Sequence, residues 1–381
     1  EYELGIQLLS EEDEFKFDFD VLDPTKLWPE EDVPVQIVGK MTLNRNVDNV
    51  FAETEQVAFH PGHVVPGIDF TNDPLLQGRL FSYTDTQLIR LGGPNFHELP
   101  INRPVCPFHN NQRDGYGRQT INQGTVSYHN NSLAQNTPRP VPEAEGGYVH
   151  YQEKVEGRKV RSRSKSFEDH FSQAKLFWNS MSPPEQLHII EAYSFELGKV
   201  KSKSVRQQVV NMLANITSEL AVPVAEAIGV AAPEVGGSEV TQASPALSQA
   251  NTKKHPNTRK VGVIIGDGFD EAAVMPVLDT LMGAGIQPEL ISDKLGFIKG
   301  SNGTELEVIH TLSTTDSVLF DAIYAAGGNA ERKKFHKDAA LFLNQAYAHF
   351  KPIAMTTTLA ELLATDEHRS SPGVVIGDGG E

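Results

Sequence analysis

The sequence predicts an α+β multidomain chain that ends in an α/β domain built on a parallel sheet. Three observations carry that prediction. Residues 1 to about 165 are rich in Asn and Pro and show few helical patterns. Residues 166–230 switch to an apolar period near 3.6, the signature of helices with one buried face. From Lys260 onward, strand and helix patterns alternate, as they do where helices cover both faces of a parallel sheet. At about 150 residues per domain, 381 residues allow two or three domains.

Charge narrows the partners. Thirty-three Lys and Arg stand against 50 Asp and Glu, for a net charge of −17. That balance argues against nucleic acid and against an anionic membrane surface, because both attract clustered positive charge. It suits a small neutral substrate. The one cysteine, Cys106, excludes an internal disulfide framework and any CxxC metal site. No apolar run reaches the ~18 residues that a membrane-spanning helix needs. The chain opens at Glu1 and closes soon after the strand-like Val374-Val375-Ile376, and the expectation is a piece of something longer.

The elements follow in order. Val33 to Leu43 alternates apolar and polar residues and reads as a strand, with turn chemistry in Asn44-Arg45-Asn46. Pro74 follows Asp73, and Leu75 to Leu91 holds no further proline, so a helix is expected there. Residues 92–150 are extended and irregular. A connection that long usually carries function or wraps a neighbouring subunit.

Phe167, Phe171, Ala174 and Phe177-Trp178 share one helical face. Ser182 before Pro183-Pro184-Glu185 marks the next helix start. Apolar stripes through Ile189, Tyr193 and Leu197, then Val205, Val209 and Leu213, complete three or four antiparallel helices. Residues 231–258 lack aromatics and read as a linker. Then come a strand at Val261–Ile265, a helix from Glu271 to Ala284, and strands at Gln287–Ile291, Ala322–Ala326 and Ile353–Met355.

Chemistry concentrates on the helix after Asp73. Arg79 and Tyr83 stand four apart and share a face, which Gln87 and Arg90 continue. A free phenol ionises at about pH 10, and a fixed cation beside it favours the phenolate, a hard anionic ligand suited to ferric iron. Spacing alone leaves the alternative of a surface stacking pair.

The surrounding motifs resemble haem catalases. RLFSYTDTQLIR (79–90) looks like their proximal haem signature, and DPTKLWP, VGKMTLNRN, FAETEQVAFHPG, LQGRLFSY and NQRDGYG follow catalase segments in order over roughly residues 1–230. The resemblance implies that Tyr83 is the iron ligand and that Arg79 hydrogen-bonds its oxygen. Gln87, where small-subunit catalases carry a histidine, and IDFTNDPLLQGRLFSYTDTQ resemble the large-subunit branch. His60 matches a position that is joined covalently to the proximal tyrosine in some large catalases and is a pocket-wall histidine in others. Arg90 matches an arginine near a haem propionate, Leu75 lies on the cofactor side, and Asp85 is expected to order Arg79 or the helix. The implied cofactor is haem, b or oxidised d-type, with no NADPH.

The implied reaction is disproportionation of hydrogen peroxide in a homotetramer, with no nucleic acid and no membrane as partner. The distal His and Asn of the family lie upstream of its DPTKLWP segment, so no catalytic residue is assigned here.

That resemblance divides the chain. Residues 1–165 would be part of the catalase β-barrel with the proximal helix and wrapping segment, 166–230 the helical domain, 231–258 a linker, and 259–381 a flavodoxin-like domain. The last is similar to class I glutamine amidotransferases, but KPIAMTTTLAELL sets Thr357 and Thr358 where active relatives hold Cys and His. Gly266-Asp267-Gly268 and Gly327-Gly328 read as tight turns. A structural role follows for this domain, and the alternative to catalysis is a non-catalytic piece with a structural or chaperone-like role. Asn130, Asn215 and Asn302 begin glycosylation triplets, Asn215 inside an expected helix.

Overall fold

A computed structural model describes residues 2–105, 113–158, 160–234, 236–329 and 332–377. Cys106 and the first residues of NQRDGYG lie outside them. The chain divides into two compact units, Glu1–Thr252 and Lys253–Glu381, taken here one at a time.

In the first unit, β1 (Tyr2–Ile6) pairs antiparallel with β2 (Gln36–Met41), Tyr2 opposite Met41, with an irregularity at Leu4/Gly5. The alternating stretch thus forms a strand, though a shorter one, and its partner Tyr2–Ile6 alternates in the same way. Its alternation does not produce a buried face: Ile37, Val38 and Met41 are all more than half exposed.

Helix α1 (Pro74–Arg90) begins where an N-terminal proline and a capping acid dictate. Asp73 accepts from the Leu76 N–H at 2.8 Å, satisfying a donor that has no partner within the helix. From 113 to 158, the described residues hold no α-helix or strand, only a 3₁₀ turn at Glu143–Glu145.

Four helices follow: α2 (Ser172–Ser180), α3 (Pro183–Gly198), α4 (Lys203–Leu213) and α5 (Ser218–Ile228). Two segments expected to be helical are not. The Phe167 stripe does not start a helix; a 3₁₀ turn covers Lys165–Glu168, and the Asp169 carboxylate then caps the N–H groups of Phe171 and Ser172. A local carboxylate acceptor competes with helix continuation and wins. Asn215 lies beyond the end of α4, in a turn, with its amide tied to the carbonyls of Asn211 and Met212.

Helix α3 starts with a capping box between Ser182 and Glu185. The helices bury one another through Trp178, Leu197, Val210, Leu213, Leu220, Val224 and Ile228. Trp178, placed in that core, satisfies its indole N–H on Glu219 at 3.1 Å.

The second unit is mixed α/β. Its strands are β3 (Lys260–Ile265), β4 (Gln287–Ser292), β5 (Gly296–Lys299), β6 (Glu305–Val308), β7 (His310–Thr311), β8 (Ala322–Gly327), β9 (Ile353–Met355) and β10 (Val374–Ile376). Its helices are α6 (Glu271–Gly283), α7 (Lys333–Ala348) and the short α8 (Asp366–Arg369). Six strands form one parallel sheet in the order β10-β9-β8-β3-β4-β7, while β5 and β6 form a separate hairpin.

The continuous apolar run of β3 is explained by burial on both sides. Val261, Val263 and Ile265 pack with α6 residues Val274 and Leu278 and with hairpin residues Ile298 and Val308. Ile264 faces the opposite layer of Phe335, Phe342 and Leu343 on α7. Each such side chain contributes about 1.5–3 kcal/mol through removal from water. The turns after β3 and β8 approach so closely that a Cβ on Gly328 would lie 2.2 Å from the Gly266 oxygen. Only glycine fits there.

Candidate functional site

The candidate site is built on α1 and on the segment from Glu55 to Gly62. The i, i+4 spacing brings Arg79 and Tyr83 together: Arg79 Nη2 donates to the Tyr83 oxygen at 3.2 Å, and the guanidinium carbon lies 5.0 Å from the ring centroid. Tyr83 is half-buried, and Arg79 is its one hydrogen-bond partner among the described residues. The phenol oxygen therefore keeps a lone pair available.

One turn further along, Gln87 is buried, with 4% of its surface exposed. Its Nε2 donates to the Phe59 carbonyl at 3.3 Å, and its Oε1 accepts from Arg90 Nε and Nη2 at 3.1 and 2.9 Å. Arg90 also donates to the carbonyls of Glu55, at 2.6 Å, and Val57. Four of its five N–H groups are thereby used within the chain, and one on Nη1 remains. Together, Gln87 and Arg90 clamp residues 55–59 against α1.

That clamp sets the Phe59 ring edge-on to Tyr83, with centroids 5.6 Å apart. Phe59 carried no signal in the sequence beyond being next to His60, because its role depends on a backbone carbonyl.

His60 lies at the edge of the cluster. Its Nδ1 accepts from the Gly62 N–H at 2.9 Å, so the ring proton sits on Nε2, 2.5 Å from Thr84 Oγ1. His63 stacks on it at 4.4 Å. Burial, followed by the nearby rings of His60 and His97, pushes His63 below the usual histidine range. Leu75 is the second residue of α1, two turns before Tyr83, and is half exposed. Asp85 orders neither Arg79 nor the helix end: it is exposed and has no hydrogen-bond or ion-pair partner among the described residues. Six residues along a helix from Arg79, it projects to another side.

The cluster lies on an open face. Two cavities elsewhere in this unit, of about 190 and about 900 Å³, include neither Tyr83 nor Arg79 in their walls. The larger is lined by Trp28, Phe70, Tyr151 and the carboxylates of Glu11, Glu14 and Asp69. There, burial and then the neighbouring charges of Asp20, Glu153 and Glu11 raise Glu14. No group of three or more His, Cys, Asp or Glu is placed to hold a metal ion among the described residues.

The site is thus a phenol oxygen with one cationic donor and a free lone pair, beside a buried clamp on residues 55–59. Family models match along the chain: Catalase at residues 1–135, Catalase-related immune-responsive at 164–228, and the C-terminal domain found in long catalases at 257–381. The chain belongs to the catalase family. It is 72% identical over 377 residues to a catalase of Alkalihalophilus pseudofirmus, covering 99% of this chain and 56% of that protein. It is 62% identical over 380 residues to Catalase-2 of Bacillus subtilis, covering 100% and 54%. Catalase-B of Dictyostelium discoideum is 47% identical over 393 residues, covering 100% and 56%. The chain thus spans about half the length of these curated catalases.

Among its described residues, the C-terminal unit holds no tyrosine paired with an arginine as Tyr83 is with Arg79. Thr357 opens a 3₁₀ turn (Thr357–Leu362) directly after β9, and the Thr356 and Thr358 hydroxyls pair at 3.1 Å. No helix of the described residues is long and apolar enough to cross a membrane.

Proposed function

We propose that this chain supplies the proximal wall of a haem pocket in a protein that converts two molecules of hydrogen peroxide into two of water and one of dioxygen. The observation that carries the reading is the Arg79–Tyr83 pair on α1, at 3.2 Å, within a catalase sequence. A hard oxygen donor with a lone pair free fits ferric haem iron. When bound, haem supplies the redox couple that takes electrons from one peroxide and passes them to another.

Each named residue then has a task. Tyr83 ligates the iron through its phenol oxygen, and Arg79 donates to that oxygen to hold its charge and direction. Gln87 and Arg90 act from the side, through the 55–59 backbone, to fix Phe59 against the Tyr83 ring. The remaining Arg90 N–H would be the donor for a propionate, Leu75 would provide apolar contact, and His60 would form the wall next to Thr84. In this reading the working assembly is a homotetramer, residues 92–150 wrap a neighbouring subunit, β1 and β2 belong to a barrel, and the C-terminal unit is flavodoxin-like. The six-stranded order β7-β4-β3-β8-β9-β10 is the doubly wound 3-2-1-4-5-6, and without the two-residue edge strand β7 the remaining five run 2-1-3-4-5, the order that supports a flavodoxin-like reading.

The test uses the full-length protein. Purified with haem, it is expected to show a Soret band and peroxide-driven oxygen release, and Tyr83→Phe is expected to lose both while keeping its helical circular dichroism. A folded Tyr83→Phe protein with undiminished Soret absorbance and oxygen release would overturn the ligand assignment.

A further inference from the structure

The β5–β6 hairpin carries chemistry that the peroxide reaction does not use. Its turn holds Asn302-Gly303, the one Asn–Gly pair in the sequence. Both residues are exposed. Gly303 takes a positive φ of 98°, and nothing lies within 4 Å of the place where a Cβ would stand. The Asn302 side-chain amide has no hydrogen-bond partner among the described residues, and only its backbone N–H is engaged.

Other asparagines are held. Asn215 is tied to two carbonyls. Asn329 is buried and joins Asp267 N–H to the Asp293 carboxylate.

We propose that Asn302 is a site of spontaneous conversion to aspartate and isoaspartate, and that the product releases the hairpin turn from the start of α6. The backbone nitrogen of Gly303 attacks the Asn302 side-chain carbonyl carbon. A C–N bond forms to that nitrogen, the bond to the side-chain nitrogen breaks, and ammonia leaves with the proton given up by the Gly303 N–H. Water then opens the cyclic imide at either carbonyl. Opening one way gives aspartate; opening the other gives isoaspartate, in which the main chain runs through the side chain. No oxidant or reductant is needed. Glycine at 303 leaves the attack unhindered, whereas a side chain there would crowd it. The Gly303 N–H donates to the Gly300 carbonyl at 3.2 Å, so the nucleophile becomes free when the turn opens.

The consequence follows from Glu271, the first residue of α6. Its Oε1 accepts from the Asn302 and Thr304 N–H groups at 2.8 and 2.9 Å, and its Oε2 accepts from the Thr304 hydroxyl. Gly300 permits that approach, since a Cβ there would lie 2.3 Å from Glu271 Oε1. The Thr304 hydroxyl and the turn's N–H groups hold this carboxylate below the usual range, so it is charged. A carboxylate made at 302 sets a like charge beside it. Isoaspartate also lengthens the backbone between the two N–H groups that share Oε1, and they no longer fit one oxygen.

The experiment ages the full-length protein and reads the peptide carrying residue 302 by mass spectrometry and by isoaspartyl methyltransferase labelling. The expected result is a mass gain equal to replacing NH₂ by OH at Asn302, accompanied by isoaspartate label. It should be faster in mildly alkaline than in mildly acidic buffer, because the nucleophile is the deprotonated amide, and absent in Asn302→Gln. Amide hydrogen exchange at Thr304 should speed up in the aged protein and not in aged Asn302→Gln. An unchanged mass at 302 after other asparagines have converted would overturn the site. Conversion with unchanged exchange at Thr304 would overturn the release. Neither readout depends on haem, so both stand apart from the test of Tyr83.

Discussion

The surroundings of α1 and the parallel-sheet unit are ordered in opposite ways. In the sheet unit, the buried side chains are overwhelmingly apolar: Val263, Ile264, Ile265, Ile291, Phe335 and Leu343 are fully enclosed. Around α1, the buried side chains include Gln87, Asn95 and Glu98, while Phe59, Phe81 and Ile89 are 60%, 71% and 79% exposed. Apolar burial holds the first region. Hydrogen bonds to backbone carbonyls hold the second, as when Arg90 and Gln87 grip residues 55–59. The region around α1 thus leaves apolar rings exposed beside a polar, positioned cluster.

The largest effect that tests this contrast is Phe335→Ala, which leaves a cavity against β3 and β9 and should cost about 3–5 kcal/mol. Its counterpart Phe81→Ala should stay within about 0.5 kcal/mol. Urea unfolding of each variant measures both, and equal losses would erase the distinction. Next comes Gln87→Leu. It leaves the Phe59 carbonyl and part of Arg90 unpaired, at about 1–3 kcal/mol for a buried polar group without its partner. The loss should appear as faster amide exchange around α1 and not in the sheet unit.

The smallest effect concerns a carboxylate in the helical segment that binds in the manner of Gln87 but titrates. Glu185 accepts from the Ser182 N–H and hydroxyl, the Ser248 hydroxyl and the Gln249 N–H. The Ser182 N–H first, then the Ser248 and Ser182 hydroxyls, hold it down at about 2 against an ordinary 4.5. A carboxylate whose folded value is depressed adds stability above its unfolded value and loses it as the pH falls toward the folded one. The wild-type chain should therefore lose stability from pH 4.5 down to about 2. Glu185→Gln should flatten the Glu185 part of that slope, as read by acid titration of the helical circular dichroism.

Particular residues show what was legible in the sequence. Asp73-Pro74 and Ser182-Pro183-Pro184-Glu185 announced helix starts, and the structure sets α1 and α3 there, because capping is a local exchange between a side chain and the next few N–H groups. The runs at 261–265, 322–326 and 353–355 announced β3, β8 and β9, because a strand buried on both faces has no polar side to show. The Arg79–Tyr83 contact was legible for the same local reason, four residues being one helical turn. The β5–β6 hairpin has a local signal in Asn302-Gly303, which turns between strands only a few residues apart, whereas the pairing of β1 with β2 joins residues about thirty or more positions apart and has no local code.

By itself, then, the sequence determined the catalase family, the starts of its capped helices, and the Arg79–Tyr83 pair, because these rest on interactions spanning a few residues. The tertiary structure decided that Gln87 is buried, that most of Arg90 is spent on the carbonyls of Glu55 and Val57, and that Phe59 meets Tyr83 edge-on. Those contacts join residues about thirty positions apart. No local pattern encodes them, because a backbone carbonyl looks the same in every residue until the fold brings a donor to it.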